Sequence, residues 1–252
     1  MGTFKAVIYH ATTNFRELFP KSGSLPDDLY EQLFKGAKRS LRRFKVPLVH
    51  LSVDGHPGWG DENYFFDGDP EQIVFNRELF FAQFLRRQNR NDVFWMTEPD
   101  HRMVRRFPGL GDDIDLCLLR REDAVAITPC WKMARSTAAP FFEEVCTYFD
   151  DVEGKRWHGD SSAYIRIWEN MGRPDLKDSP VDYKGMRIEL RSYSDYSEKD
   201  SIYVQHWKSY TKGKLLKKNK RQCVKDWCMR SFHRAKAMAK HGLHFFVNKL
   251  GN

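Results

Sequence analysis

Short apolar runs of strand length and longer segments with helical spacing take turns along this chain. Phe4, Ala6, Val7, Ile8 and Tyr9 predict a first strand, which runs into the polar loop His10-Ala11-Thr12-Thr13-Asn14. Leu29, Leu33, Ala37, Leu41 and Phe44 recur at steps of three or four, and Asp27-Asp28 supplies an N-cap, so a helix is expected over 27–44. Residues 46–54 are apolar on both faces, as in a central parallel strand, and end in Asp54. A long loop rich in Gly, Asp and aromatics follows over 56–69. Asp69-Pro70 then predicts a helix start, with Ile73, Phe75, Leu79, Phe80, Ala82, Phe84 and Leu85 making that helix heavily apolar.

Val93-Phe94-Trp95-Met96-Thr97 comes next, a buried strand by its β-branched and aromatic content, and it stops abruptly at Glu98-Pro99-Asp100. The run from His101 to Phe107 leads into the turn-rich Pro108-Gly109-Leu110-Gly111. Two strands joined by a polar link are expected over 115–121 and 124–128, and a helix over 140–149. A second helix passes through Tyr164, Ile165, Ile167 and Trp168, with Gly159-Asp160 at its start. A polar linker leads to strands over 186–190 and 201–207, and helical spacing returns over 221–240 with Gly242 as C-cap. This alternation predicts an α/β fold, a single mixed, mostly parallel sheet flanked by helices. Residues 1–206 form its α/β domain and residues 207–252 a basic, largely helical extension.

Composition changes this picture in three places. With 252 residues and 41% hydrophobic content, the chain can bury a large core. It has no apolar run near the roughly 20 residues of a bilayer span, and no signal peptide is visible at its start. Five scattered cysteines suit free thiols in a reducing compartment, so a cytoplasmic location is expected. The net charge of +8 is uneven: residues 207–252 hold 13 Lys or Arg against Asp226 alone, a balance of +12, which leaves the first 206 residues at −4. A strongly basic tail on a mildly acidic body suits an anionic partner, such as nucleic acid, an anionic surface or substrate phosphates; a solvated helix face is the plain alternative.

The chemistry lies where strands end. In open α/β sheets ligands bind at the C-terminal edge, and two acids there can hold a divalent metal. Glu98 and Asp100 occupy that position. Asp54 could bond a ribose hydroxyl or simply make a turn before Gly55. Asp160 could cap its helix, act in chemistry, or do both. His206 closes a strand, with Lys212 and Lys214 shortly after. Cys223, Cys228 and His233 do not form a zinc site, because steps of five on a helix place successive residues about 140° apart.

The order of Glu98-Pro99-Asp100, Gly159-Asp160 and His206 with Lys212 and Lys214 resembles the A-type fold of nucleotide-sugar glycosyltransferases, over roughly residues 4–214. The resemblance implies a nucleotide-binding first portion that includes His10, Ala11, Thr12 and Asp54. It also implies a DxD-like motif carrying Mn²⁺ or Mg²⁺ with the donor diphosphate. Glu98, Asp100 and His206 would be the metal residues, with Lys212 and Lys214 on the diphosphate. Asp160 would lie near the sugar, as base if the reaction inverts or as a positioning group if it retains configuration. Glu98 departs from the family's first Asp, and Pro99 fills the middle position. An anionic acceptor, DNA among the candidates, would suit the basic tail. The competing readings are a nucleic-acid-binding protein without catalysis, and a nucleotidyltransferase with the same metal-carboxylate logic.

Overall fold

A computed structural model describes residues 2–10, 29–121, 126–149, 154–155, 159–196 and 201–206. In chain order the elements are β1 (Phe4–Tyr9), α1 (Leu29–Arg42), β2 (Leu48–Val53), β3 (Glu62–Phe66), α2 (Ile73–Arg86), β4 (Val93–Thr97), β5 (His101–Met103), β6 (Leu116–Arg121) and β7 (Ala126–Ala134). They continue with α3 (Ala139–Thr147), α4 (Gly159–Asn170), β8 (Val181–Tyr183), β9 (Met186–Ser192), α5 (Tyr193–Tyr196) and β10 (Val204–His206). Eight strands form one sheet in the order β3-β2-β1-β4-β7-β6-β9-β8, and β5 pairs with β10 in a separate two-stranded ribbon. The β3-β2-β1-β4 half is parallel throughout, and β6 and β9 are also parallel. The sheet turns antiparallel where β7 lies between β4 and β6, and again at β8.

Burial on both faces explains why β1, β2 and β4 read as continuous apolar runs rather than alternating ones. Along β1, Val7 and Tyr9 face one core while Ala6 and Ile8 face the other. Along β4, Phe94 and Met96 join the first core, and Val93 and Trp95 the second. The first core receives Phe80, Phe81 and Phe84 of α2, Phe141 and Phe142 of α3, and Tyr164 and Trp168 of α4. Each fully buried phenylalanine stabilises the fold by on the order of 2 kcal/mol. The second core takes Phe34, Ala37 and Leu41 of α1, with Phe44 packed against it, so Ala37, Leu41 and Phe44 of the predicting spacing face this core and Phe34 joins them. Among the described residues, no helix is long and apolar enough to cross a membrane.

Several elements differ from expectation. The expected loop over 56–69 contains β3, which pairs with β2 through Val49 with Glu62 to Val53 with Phe66. Its inward and outward residues alternate at an exposed sheet edge, so polar residues hide the strand signal. Asp69-Pro70 forms a turn rather than the helix start, with Asp69 Oδ1 accepting from the Glu71 amide, and α2 begins at Ile73 after Gln72. The strand expected over 124–128 runs on to Ala134, because Trp131 and Met133 pack into the second core. The polar linker before residue 186 contains β8, and the strand expected over 201–207 spans only Val204–His206. The expected tail helix over 221–240 and the domain limit near 206 fall outside the described residues.

Candidate functional site

Since β1, β2 and β4 run parallel, their C-terminal ends open on one edge, and the registers align Ile8 with Thr97 and Tyr9 with Leu51. At the end of β4 the chain makes a β-turn: the His101 amide donates to the Glu98 carbonyl at 3.0 Å, and Pro99 takes the second position, where its fixed φ is favoured. Glu98, Asp100 and His101 thereby converge, each offering one ligand atom within 4.8 Å of the others. Asp100 and His101 are buried, at 3% and 2% exposure. Thr97 Oγ1 and His101 Nδ1 lie 2.6 Å apart. The Glu98 amide also donates towards Nδ1, at 3.4 Å, so ligation through Nε2 requires the other tautomer, in which Nδ1–H donates to the Thr97 hydroxyl. Two carboxylates and an imidazole suit Mn²⁺ better than Mg²⁺, which takes oxygen ligands, so the residues present fit the first of the two expected ions.

His101 is the member that the sequence reading passed over. The signal was its place as fourth residue of the turn that starts at Glu98, since such a turn brings first and fourth residues together. His206, expected as the ligand, sits opposite His101 in the antiparallel β5–β10 register, so its backbone reaches the same place.

A buried ionic group connects this turn to Asp160. Glu98 continues the parity of Phe94 and Met96 and so points towards α2, where Arg77 meets it: Arg77 Nη1 donates to Glu98 Oε1 at 3.4 Å. The same guanidinium donates from Nη2 to Asp160 Oδ2 at 2.7 Å and from Nε to Glu78 Oε1 at 2.9 Å. Asp160, in the first turn of α4, also accepts from the Ser161 amide at 2.7 Å through Oδ1. Glu78 in turn receives Lys132 Nζ at 2.6 Å on both oxygens, and the Tyr164 hydroxyl at 2.9 Å. Burial works against the Arg77 charge, but Glu78, Asp160 and Glu98 raise its pKa well above the ordinary value, so it stays cationic. Burial also lowers the Lys132 ammonium, with Glu78 opposing. Cys130 lies beside the group; burial, then Glu98, pushes its thiol well up, so it is no thiolate nucleophile.

None of Arg77, Glu78 or Lys132 was singled out from sequence. The available signal was three polar residues, Asn76-Arg77-Glu78, inside an otherwise apolar helix, and a lysine between Trp131 and Met133. Buried charges are rarely tolerated unless paired, so charges within buried patterns point to a built network.

On the other side of the edge, aromatic rings form a column. His10 stacks on Tyr30 at 4.6 Å between centroids and on Trp59 at 5.2 Å, and Trp59 stacks on His50 at 5.8 Å. Burial, then His50 and His56, lowers His10 to about 3, and burial with His56 lowers His50 to about 3. The Tyr30 hydroxyl is raised by burial and then by Asp100 and Glu98, so the column borders the acid turn. Asp54 lies exposed at the end of β2, its amide donating to the Phe66 carbonyl at 3.1 Å. Ala11, Thr12, Lys212 and Lys214 lie outside the described residues. The structure thus gathers His10, Glu98, Asp100, Asp160 and the His206 backbone at one sheet edge.

No protein-family profile matches the chain, and no curated protein sequence does. Among solved structures, the chain is similar to the crystal structure of a glycosyltransferase involved in the glycosylation of the major capsid of PBCV-1. The TM-score is 0.52 at 8% sequence identity, covering 86% of this chain and 100% of that one. At that identity the likeness is one of fold. The chain therefore has the A-type, Rossmann-like glycosyltransferase fold, a mixed, mostly parallel sheet with flanking helices.

Proposed function

We propose that this protein is a glycosyltransferase that moves a sugar from a nucleoside-diphosphate donor to an acceptor hydroxyl, with a divalent metal held at the Glu98–His101 turn. The observation that carries this reading is the convergence of Glu98, Asp100 and His101 within 4.8 Å at the C-terminal edge of the sheet. Asp100 and His101 would hold Mn²⁺ or Mg²⁺, with Glu98 and His206 beside them. Bound there, the metal supplies charge stabilisation to the departing diphosphate. The chain's own residues do the rest. The neutral column of His10, Tyr30 and Trp59 gives an aromatic wall for a base next to the acids. Tyr30 joins the two parts, its ring in the column and its hydroxyl within the electrostatic reach of Asp100 and Glu98.

Asp160 has two candidate roles, as base or as a group that positions the sugar. Both its oxygens already accept hydrogen bonds, from Arg77 and from the Ser161 amide. That arrangement favours positioning: a fixed carboxylate can orient sugar hydroxyls without giving up its partners.

To test the reading, the protein is incubated with a panel of nucleoside-diphosphate sugars and Mn²⁺ or Mg²⁺, and nucleoside diphosphate release is measured. Release is expected with at least one donor, and Asp100→Asn should lower it by ~10²-fold, the usual loss when one electrostatic stabiliser is removed. Release of pyrophosphate in place of nucleoside diphosphate would assign the site to nucleotidyl transfer. Absence of turnover with every donor and metal, together with no donor binding, would sink the enzymatic reading.

A further inference from the structure

Arg77 occupies an unusual position for a residue on a core helix. Its guanidinium is shared by three carboxylates, and the three bonds are unequal. Those to Asp160 at 2.7 Å and Glu78 at 2.9 Å are short, whereas that to Glu98 is 3.4 Å. From behind, Glu78 is held by Lys132 and Tyr164, both fully buried, so the guanidinium cannot drift away from its own helix. In front, Glu98 is the most exposed of the three acids, with 28% of its side chain exposed against 10% for Asp160 and none for Glu78. Three carboxylates against the two cations Arg77 and Lys132 leave this bonded group with net negative charge before Asp100 is added.

We propose that Arg77 is a positioning residue that competes with the divalent metal for Glu98 and so couples the metal turn to Asp160. The proposal rests on the reading of Glu98, Asp100 and His101 as a metal centre. Glu98 carries one methylene more than an aspartate, and that length is what lets it reach either Arg77 or an ion at the turn. When Glu98 swings to the metal, Arg77 keeps Asp160 and Glu78 as its remaining anionic partners. The charge released from Glu98 then falls on the Asp160 carboxylate, which stays fixed where the sugar would lie. When no metal is held, Glu98 stays on Arg77 and keeps that cation satisfied.

The sign of the effect on metal affinity distinguishes this role from plain structural support. Removing a structural cation from a folded site loosens everything around it; removing a competitor tightens metal binding. The test uses the full chain and Mn²⁺ alone, with free Mn²⁺ followed by electron paramagnetic resonance, and then donor turnover. Arg77→Met is expected to bind Mn²⁺ several-fold more tightly than wild type while kcat falls by ~10²-fold with little change in donor KM. Arg77→Lys, which keeps charge but loses the fork that spans two acids, should recover part of kcat. Glu98→Gln should weaken Mn²⁺ binding, and in the double variant Arg77→Met/Glu98→Gln the tightening should vanish, the mark of direct coupling in a double-mutant cycle. If Arg77→Met does not fold, as judged by circular dichroism, the same cycle is run with the neutral, polar Arg77→Gln and decides the matter. Weaker or unchanged Mn²⁺ affinity in the folded Arg77 variant, or equal tightening with and without Glu98, overturns the proposal while leaving the metal reading intact. A wild-type chain that binds neither Mn²⁺ nor Mg²⁺ overturns both.

Discussion

At the scale of single residues, the buried ionisable groups have measurable consequences. His10 and His50 are held neutral in the fold, each lowered to about 3, whereas an unfolded histidine titrates near 6.5. Between those values the unfolded chain binds more protons than the folded one, so stability is full above the unfolded pKa and declines as pH falls towards the folded one. Urea midpoints are therefore expected to drop steadily from pH 7 to pH 4.5. His10→Phe, which keeps the ring between Tyr30 and Trp59 but removes the proton site, should flatten that slope; an unaltered slope would show that His10 does not contribute. Lys132 makes the opposite case, a cation that Glu78 requires. Lys132→Met leaves Glu78 buried without its ammonium partner and should cost about 3–5 kcal/mol in chemical denaturation.

At the scale of elements, the edge pair β2–β3 depends on how closely the chain returns after the loop. A Cβ on Gly60 would lie 2.3 Å from the Glu62 carbonyl oxygen and 2.8 Å from the His50 amide nitrogen, both backbone atoms that cannot rotate away. Gly60→Ala is thus expected to lose about 1–3 kcal/mol and to loosen Trp59, whose amide donates to His50 Nδ1 at 3.1 Å. Gly109→Ala is the control, since nothing lies within 4 Å of the Cβ it would gain, and it should leave the thermal midpoint within a degree or two. Equal destabilisation by the two would refute the steric account. The β5–β10 ribbon shows a different dependence. A three-residue strand signals little by itself, and it exists here because His101 to Met103 find a partner about a hundred residues later in His206 to Val204.

For the whole molecule, charge is the long-range property. The first 206 residues are net acidic and the remaining 46 carry 13 basic residues, so any anionic partner is drawn to one end of the sequence. We expect binding to random-sequence duplex DNA that weakens steeply between 50 and 200 mM salt, by roughly 10³-fold or more if six or more phosphates are contacted. Gel shift at several salt concentrations measures this directly. No binding even at the lowest salt would exclude duplex DNA as a partner of this chain.

Much of this was legible in the one-dimensional pattern. The buried parallel strands, α1, the stop of β4 at two acids and the α/β class all follow from local rules, because a strand covered on both faces must be apolar throughout and a helix on a sheet must repeat every three or four residues. That Asp100 follows a strand end and Asp160 sits at a helix start was readable for the same reason. What folding alone decided are the meetings. Arg77 lies 21 residues before Glu98 and 83 before Asp160, and Glu78 lies 54 before Lys132. A charge inside an apolar pattern marks that a partner is needed, but nothing local says which distant residue it will be. Burial then removes water as a partner and leaves each charge only the others to satisfy it.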